Sequence, residues 1–301
     1  MNSQTKENII FAYVIILSYI IFTTFINGIT ATDWIYRHSE WISRYLKGDF
    51  SPIQEYPPLF HFIMLPFVAL QFPVKYFQIL FIFLSTSSLF YFAYKKEDEK
   101  VLRDFSILVV GALPFIMFSG ALMPQAFDYI LFPLICLAYF KNKYATAIIG
   151  LLTIFFMHEV GIIFMGILFL HSLLTRRKKF ALYLLITIIL ILPIFYYYEF
   201  ESLQNLKYEW DIKAQNEWES QFINPIWKFF ALSGLFTWIY LPKALLNLKK
   251  IKFKLSEIHI LYLIWIIGFL PLGIFDYGIW RMMSYIIVPL SLFVTSLVSD
   301  K

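Results

Sequence analysis

The chain has 301 residues, of which 60% are hydrophobic, 21% aromatic and only 15% charged, against about 45–50% apolar and about 25% charged in an average soluble domain. That balance excludes a soluble globular enzyme, a disordered chain and a nucleic-acid binder working through a basic face. The net charge of +5 is, in a membrane chain, first a sign of cytoplasmic loops rather than of an acidic partner.

A membrane helix needs about 20 apolar residues, with a range of about 17–25. Ten stretches meet or approach that length, at about 9–28, 77–94, 105–120, 126–140, 144–158, 161–175, 180–198, 226–241, 258–274 and 280–298. The first lacks an A-x-A cleavage pattern and reads as a retained helix rather than a signal peptide. The run Leu59 to Phe72 is too short to count and holds His61, Pro66 and Gln71. Its length fits an interfacial or re-entrant helix. Cys136 is the only cysteine, which leaves no internal disulfide and no Cys-based zinc site. The fold class expected is therefore all-α, a polytopic membrane protein of about ten spans with interfacial helices in the first outer loop.

Charge orients these spans. With the N-terminus inside and the spans alternating, most Lys and Arg fall inside, including Lys95, Lys96, Arg176 to Lys179 and the lysines from Lys243 to Lys254. The acids fall mainly outside. Counting 59–72 as a span would turn the last two clusters outward, against the positive-inside rule. Both termini are then cytoplasmic. Residues 1–301 read as one integral membrane domain with two sizeable outer loops, 29–76 and 199–225.

Candidate chemistry belongs on that outer side. Thr32 or Asp33 can cap a helix starting at Trp34. Residues Trp34, Ile35, His38, Trp41, Ile42 and Tyr45 then repeat at helical spacing, giving an amphipathic surface helix that ends near Gly48. Asp33 is either that cap or a reactive carboxylate at the membrane boundary. Arg37 lies on the same segment. Pro57-Pro58 forces extended geometry before it and lets a helix start at Pro58. Glu55 and Tyr56 are thus presented on a rigid turn, with His61 on the helix that follows. Asp128 stands in an apolar segment between Phe127 and Tyr129, where a carboxylate is costly unless it meets a partner or a polar cavity. His158-Glu159 interrupts an apolar run at a tight helical hairpin and has the same need. Arg281 opens the last span and is either paired with Asp276 or placed to hold a lipid phosphate through its planar fork. His171 and His259 read as structural.

No P-loop, GxGxxG, HExxH, GxSxG or DxD pattern is present. The internal prolines Pro114, Pro133, Pro193, Pro271 and Pro289 show no match between the two halves, as an inverted-repeat transporter would require.

The order Asp33, then Glu55-Tyr56-Pro57-Pro58-Leu59-Phe60-His61, then Asp128, resembles the GT-C superfamily of integral membrane glycosyltransferases. Protein O-mannosyltransferases, the lipid A aminoarabinose transferase and oligosaccharyltransferase catalytic subunits belong to it. Their plan is a first span, an acid close behind it, a large outer loop with surface helices and a proline-flanked acid, and a second acid in the next outer loop. The resemblance is best over residues 10–175. It implies transfer of a sugar from a polyprenyl-phosphate donor to a protein, lipid or glycan acceptor on the outer face of the membrane, and the Ile-, Lys- and Phe-rich composition, as in an AT-rich prokaryote, points to the plasma membrane. By this resemblance Asp33 is the general base, with Asp128 or Glu55 orienting or assisting. Arg281 and Arg37 would neutralise the departing phosphate. His158, Glu159, Tyr56 and His61 would contact substrate. No cofactor is expected, and without a DxD-like cluster a divalent metal is not favoured. Membrane lipids are expected partners and nucleic acid is not. A polysaccharide polymerase or flippase, a secondary transporter with an Asp128–His158 proton relay, and a noncatalytic scaffold are the alternatives.

Overall fold

The computed structural model describes residues 3–26, 38–54, 56–72, 75–110, 124–158, 160–196, 235–250, 255–270 and 279–299. Every regular element among them is helical. They are α1 (Ser3–Ile26), α2 (Ser39–Leu46), a short 3-10 turn (Ser51–Gln54), α3 (Leu59–Ala69), α4 (Lys75–Lys96), α5 (Glu99–Val110) and α6 (Pro124–Phe140). There follow α7 (Tyr144–Met157), α8 (Gly161–Leu174), α9 (Lys178–Tyr196), α10 (Leu235–Lys250), α11 (Glu257–Phe269) and α12 (Ile279–Ser299).

Among the described residues two helical stretches, Phe77–Lys96 and Lys178–Tyr196, are long and apolar enough to cross a membrane. Six more are apolar but shorter, among them Leu59–Ala69, Pro124–Phe140 and Glu257–Phe269. Of the expected span at about 226–241, residues 226–234 lie outside the described residues, and the rest belongs to a helix, Leu235–Lys250, that runs on through Pro242 and Lys243.

The helices pack as α4 on α6, α6 on α7, α7 on α8, α8 on α11, and α12 against α5, α10 and α11. Gly150 makes the α6–α7 approach close, since a β-carbon there would meet Ile135 Cγ1 at 2.6 Å. The core is aromatic: Phe132 lies 4.1 Å from Phe164 and 4.6 Å from Trp265, ring centre to ring centre. Ser88 of α4 donates to the Ile130 carbonyl at 2.6 Å, in the turn of α6 that Pro133 deprives of a backbone donor.

Four helices stop in the same way. Gly48, Gln71, Asn142 and Arg176 adopt positive φ just beyond α2, α3, α6 and α8. At each, the following residue's N–H reaches five residues back, as Lys143 does to the Ala138 carbonyl at 2.9 Å and Arg177 to the Ser172 carbonyl at 2.8 Å. This is the Schellman closure that satisfies otherwise orphaned carbonyls. The outward surface is apolar: Ile10, Tyr13 and Leu17 of α1 and Ile189, Leu190 and Leu192 of α9 are all more than half exposed.

His38 at the N-cap of α2 and Ile42 and Tyr45 within it are buried, three of the six positions expected from the spacing, and α2 packs on α3. Residues 34–37 of the expected helix lie outside the described residues. α3 follows Pro58 and ends at Ala69, as the short apolar run suggested. Cys136 is fully buried in the core.

Candidate functional site

The site is built where helix ends converge. α6 opens on Pro124, whose fixed φ suits a first helical position, and its second turn carries Asp128, buried to 1% exposure. α7 ends at Met157, and His158 leaves it in extended geometry with φ −155° and ψ 130°. α8 begins at Gly161. A β-carbon at Gly161 would meet the Phe155 backbone at 2.5 Å, so glycine is what lets the chain turn back this tightly. The third contributor is Tyr285 of α12. Its ring lies between Phe269 (4.5 Å, 13°) and Tyr129 (5.4 Å, 20°).

These packing constraints bring three polar groups together. The Tyr285 hydroxyl donates to Asp128 Oδ2 at 2.6 Å. His158 Nδ1–H donates to the same oxygen at 2.9 Å. His158 is 3% exposed and Tyr285 1%. An accepting carboxylate fixes His158 as the Nδ1–H tautomer and turns Nε2 away from Asp128. A carboxylate buried without such donors would cost several kcal/mol. Gln125, one turn before Asp128, is buried and its Oε1 has no hydrogen-bond partner among the described residues.

A second cluster lies alongside, between α2 and α3. His38 Nδ1 and His61 Nε2 share a hydrogen bond of 2.9 Å. Both rings are buried among Trp41, Tyr45, Tyr56 and Phe60. One of the two facing nitrogens must lack a proton while that bond lasts. Burial pushes His61 down from 6.5 to about 4. Tyr56 joins the clusters, since it stacks on Trp41 at 5.5 Å and its ring centre lies 6.3 Å from that of His158. Nearby, Ser51 and then Arg44 hydrogen-bond Asp49 and hold its carboxyl well below the usual range.

The structure therefore gathers Asp128, His158, Tyr56 and His61 from among the sequence candidates. Asp33, Arg37, Glu55 and Glu159 lie outside the described residues. Arg281 belongs to the first turn of α12, one turn ahead of Tyr285, with its side chain outside the described part. His171 uses both ring nitrogens internally, on the Tyr139 hydroxyl (2.8 Å) and the Glu257 carbonyl (2.8 Å). His259 bonds Ser256 and Ser296. Tyr285 escapes sequence reasoning. Its only signal is that a tyrosine in an apolar span needs a partner for its hydroxyl, and the chain has 20 tyrosines.

Among the described residues no group of three or more His, Cys, Asp or Glu is arranged to hold a metal ion. No family model, curated protein or solved structure matches the chain.

Proposed function

We propose that this chain is a multi-pass membrane glycosyltransferase. It moves a sugar from a polyprenyl-phosphate donor to an acceptor on the outer face of the membrane. The observation that carries the reading is the buried Asp128–His158–Tyr285 cluster at helix ends, next to the α2–α3 surface helices. A lipid-linked donor keeps its chain in the bilayer and its phosphate at that level. The ten-span topology, with both termini inside, rests on the basic clusters and on the apolar outward faces of α1 and α9.

In the proposed reaction Asp33 takes the proton of the acceptor hydroxyl as its oxygen bonds to the sugar's anomeric carbon. The bond from that carbon to phosphate breaks with inversion, and polyprenyl phosphate leaves. Arg281 and Arg37 neutralise the leaving phosphate. Asp128 is committed to two donors, which favours an orienting role for it. It fixes the ring of His158, the residue that in this reading contacts phosphate or acceptor. Glu55 stands one residue before Tyr56 and assists from the first loop.

A transporter with an Asp128–His158 proton relay draws on the same contact. The place of His158 just past the end of α7, rather than at mid-helix, favours the transferase. The test is sugar transfer in liposomes by purified protein, given labelled polyprenyl-phosphate sugars and crude membrane acceptors. The wild type is expected to transfer. Asp33→Asn is expected to lower the rate by about 10²-fold or more, the usual scale of a lost general base. Undiminished transfer by Asp33→Asn would move the base to Glu55 or Asp128. Proton-coupled solute flux without transfer would replace the reading by transport.

A further inference from the structure

The opposite end of the bundle is built on different chemistry. Three turns meet there, between α4 and α5, α6 and α7, and α8 and α9. Arg177 ties the last two together. Its guanidinium donates to Asn142 Oδ1 at 3.0 Å, lies 4.9 Å over the Tyr139 ring and pairs with Glu257 at 2.9 Å. Lys96 sits 3.6 Å over the Phe140 ring and brings the end of α4 to the same place. The acids at this end each hold a partner: Glu257 pairs with Arg177, Glu97 accepts the Tyr262 hydroxyl at 2.7 Å, Asp98 caps the Val101 N–H at 2.8 Å and Glu99 accepts the Thr5 hydroxyl at 2.7 Å, the last two without a cation among the described residues.

The cations around them are not neutralised. Lys141, Lys143, Arg176, Lys178 and Lys179 are exposed and form no ion pair among the described residues. Arg176 holds its charge there at φ 60°, a left-handed conformation that suits glycine better than arginine. Just beyond this basic group the surface turns apolar. Leu173 and Leu174 of α8 and Leu182 and Tyr183 of α9 are each at least half exposed. A soluble anion would use the cations alone. A phosphate-bearing lipid uses both surfaces.

We propose that the α6–α7 and α8–α9 turns form a binding site for the phosphate headgroup of an anionic membrane lipid, whose chains lie along the exposed faces of α8 and α9. This rests on the membrane placement of the chain and not on its transfer chemistry. Each lysine or arginine near a lipid surface contributes about fivefold in affinity for an anionic headgroup. Removing three of them therefore weakens binding about a hundredfold.

The test uses the full chain in neutral detergent. Binding of phosphatidylglycerol, phosphatidylcholine with the same acyl chains, and inorganic phosphate is read by native mass spectrometry and by the shift in melting temperature. The wild type is expected to prefer phosphatidylglycerol by about tenfold or more, and high salt is expected to erase the preference. The variant Lys141→Gln, Lys143→Gln, Arg176→Gln is expected to lose it while keeping its lipid-free melting temperature. Gln71 already occupies the equivalent turn position after α3. Equal binding of the two lipids, or a preference that survives the triple substitution or high salt in the wild type, would overturn the proposal. A shift reproduced by inorganic phosphate at equal concentration would overturn the lipid source and assign a free-anion site.

Discussion

Asp128 is a buried carboxylate whose tolerance depends on named donors, and this makes Tyr285 the most informative single position. Tyr285→Phe keeps the ring stacked between Phe269 and Tyr129 and removes only the hydroxyl that reaches Asp128. A hydrogen bond to a charged group contributes about 1.5–3 kcal/mol. The expected result is a loss of that order in unfolding experiments in detergent. Sugar transfer should fall at the same time, because Asp128 and His158 lose a fixed orientation. His61 gives a pH signature of known sign. Its folded value of about 4 lies below its unfolded value of 6.5, so between those limits the unfolded chain binds the extra proton. The stability associated with it is complete above about pH 6.5 and is lost as the pH falls towards 4. By pH 5 the loss is about 2 kcal/mol. Melting curves at pH 7.5 and pH 5 check this. His61→Asn is expected to flatten the difference, since no imidazole then remains at that position to be protonated on unfolding.

At the scale of elements, much was legible because helix ends write themselves locally. Pro57-Pro58 announced α3, and the short apolar run limited it to the length of a surface helix. His158-Glu159 marked the α7–α8 hairpin. The amphipathic spacing of His38, Ile42 and Tyr45 named the buried face of α2, but the face is covered by α3 rather than laid on lipid. Contact between Asp128 and His158 was suggested only by their shared need for partners. Tyr285 stands 157 residues from Asp128, and no local pattern links two such positions. The same distinction gives a prediction at the hairpin. Gly161 has backbone within 2.5 Å of where a β-carbon would stand, so Gly161→Ala must push α8 away from Phe155. Overpacking of this kind costs about 1–3 kcal/mol. The variant is expected to unfold earlier and to lose transfer activity in proportion to the displacement of His158. Gly166→Ala serves as the control, because its β-carbon would meet nothing within 4 Å. It is expected to leave transfer unchanged and to raise stability by about 0.5–1 kcal/mol, the gain of alanine over glycine inside a helix. Equal effects at the two glycines would remove the hairpin from the account of the site.

Across the whole molecule the two ends carry opposed chemistry. The α2–α3 end holds buried histidines, aromatic rings and a carboxylate. The turns at the other end hold unneutralised lysines and arginines. In the proposed topology a bilayer lies between them, with the cationic turns on the cytoplasmic side and the apolar helix faces against lipid. The proposed orientation then has a direct test. Cys136 is the only cysteine and is fully buried, so the wild type provides a background that a membrane-impermeant maleimide leaves unlabelled. Phe50 is 56% exposed at the α2–α3 end, and Lys143 is exposed at the other. In intact cells Phe50→Cys is expected to be labelled and Lys143→Cys to react only after the membrane is opened. The reverse pattern would invert the topology and place the Asp128 cluster inside, out of reach of an outer-face acceptor. Labelling of both in intact cells would put the two ends on one side and dismiss the bilayer as the cause of their difference.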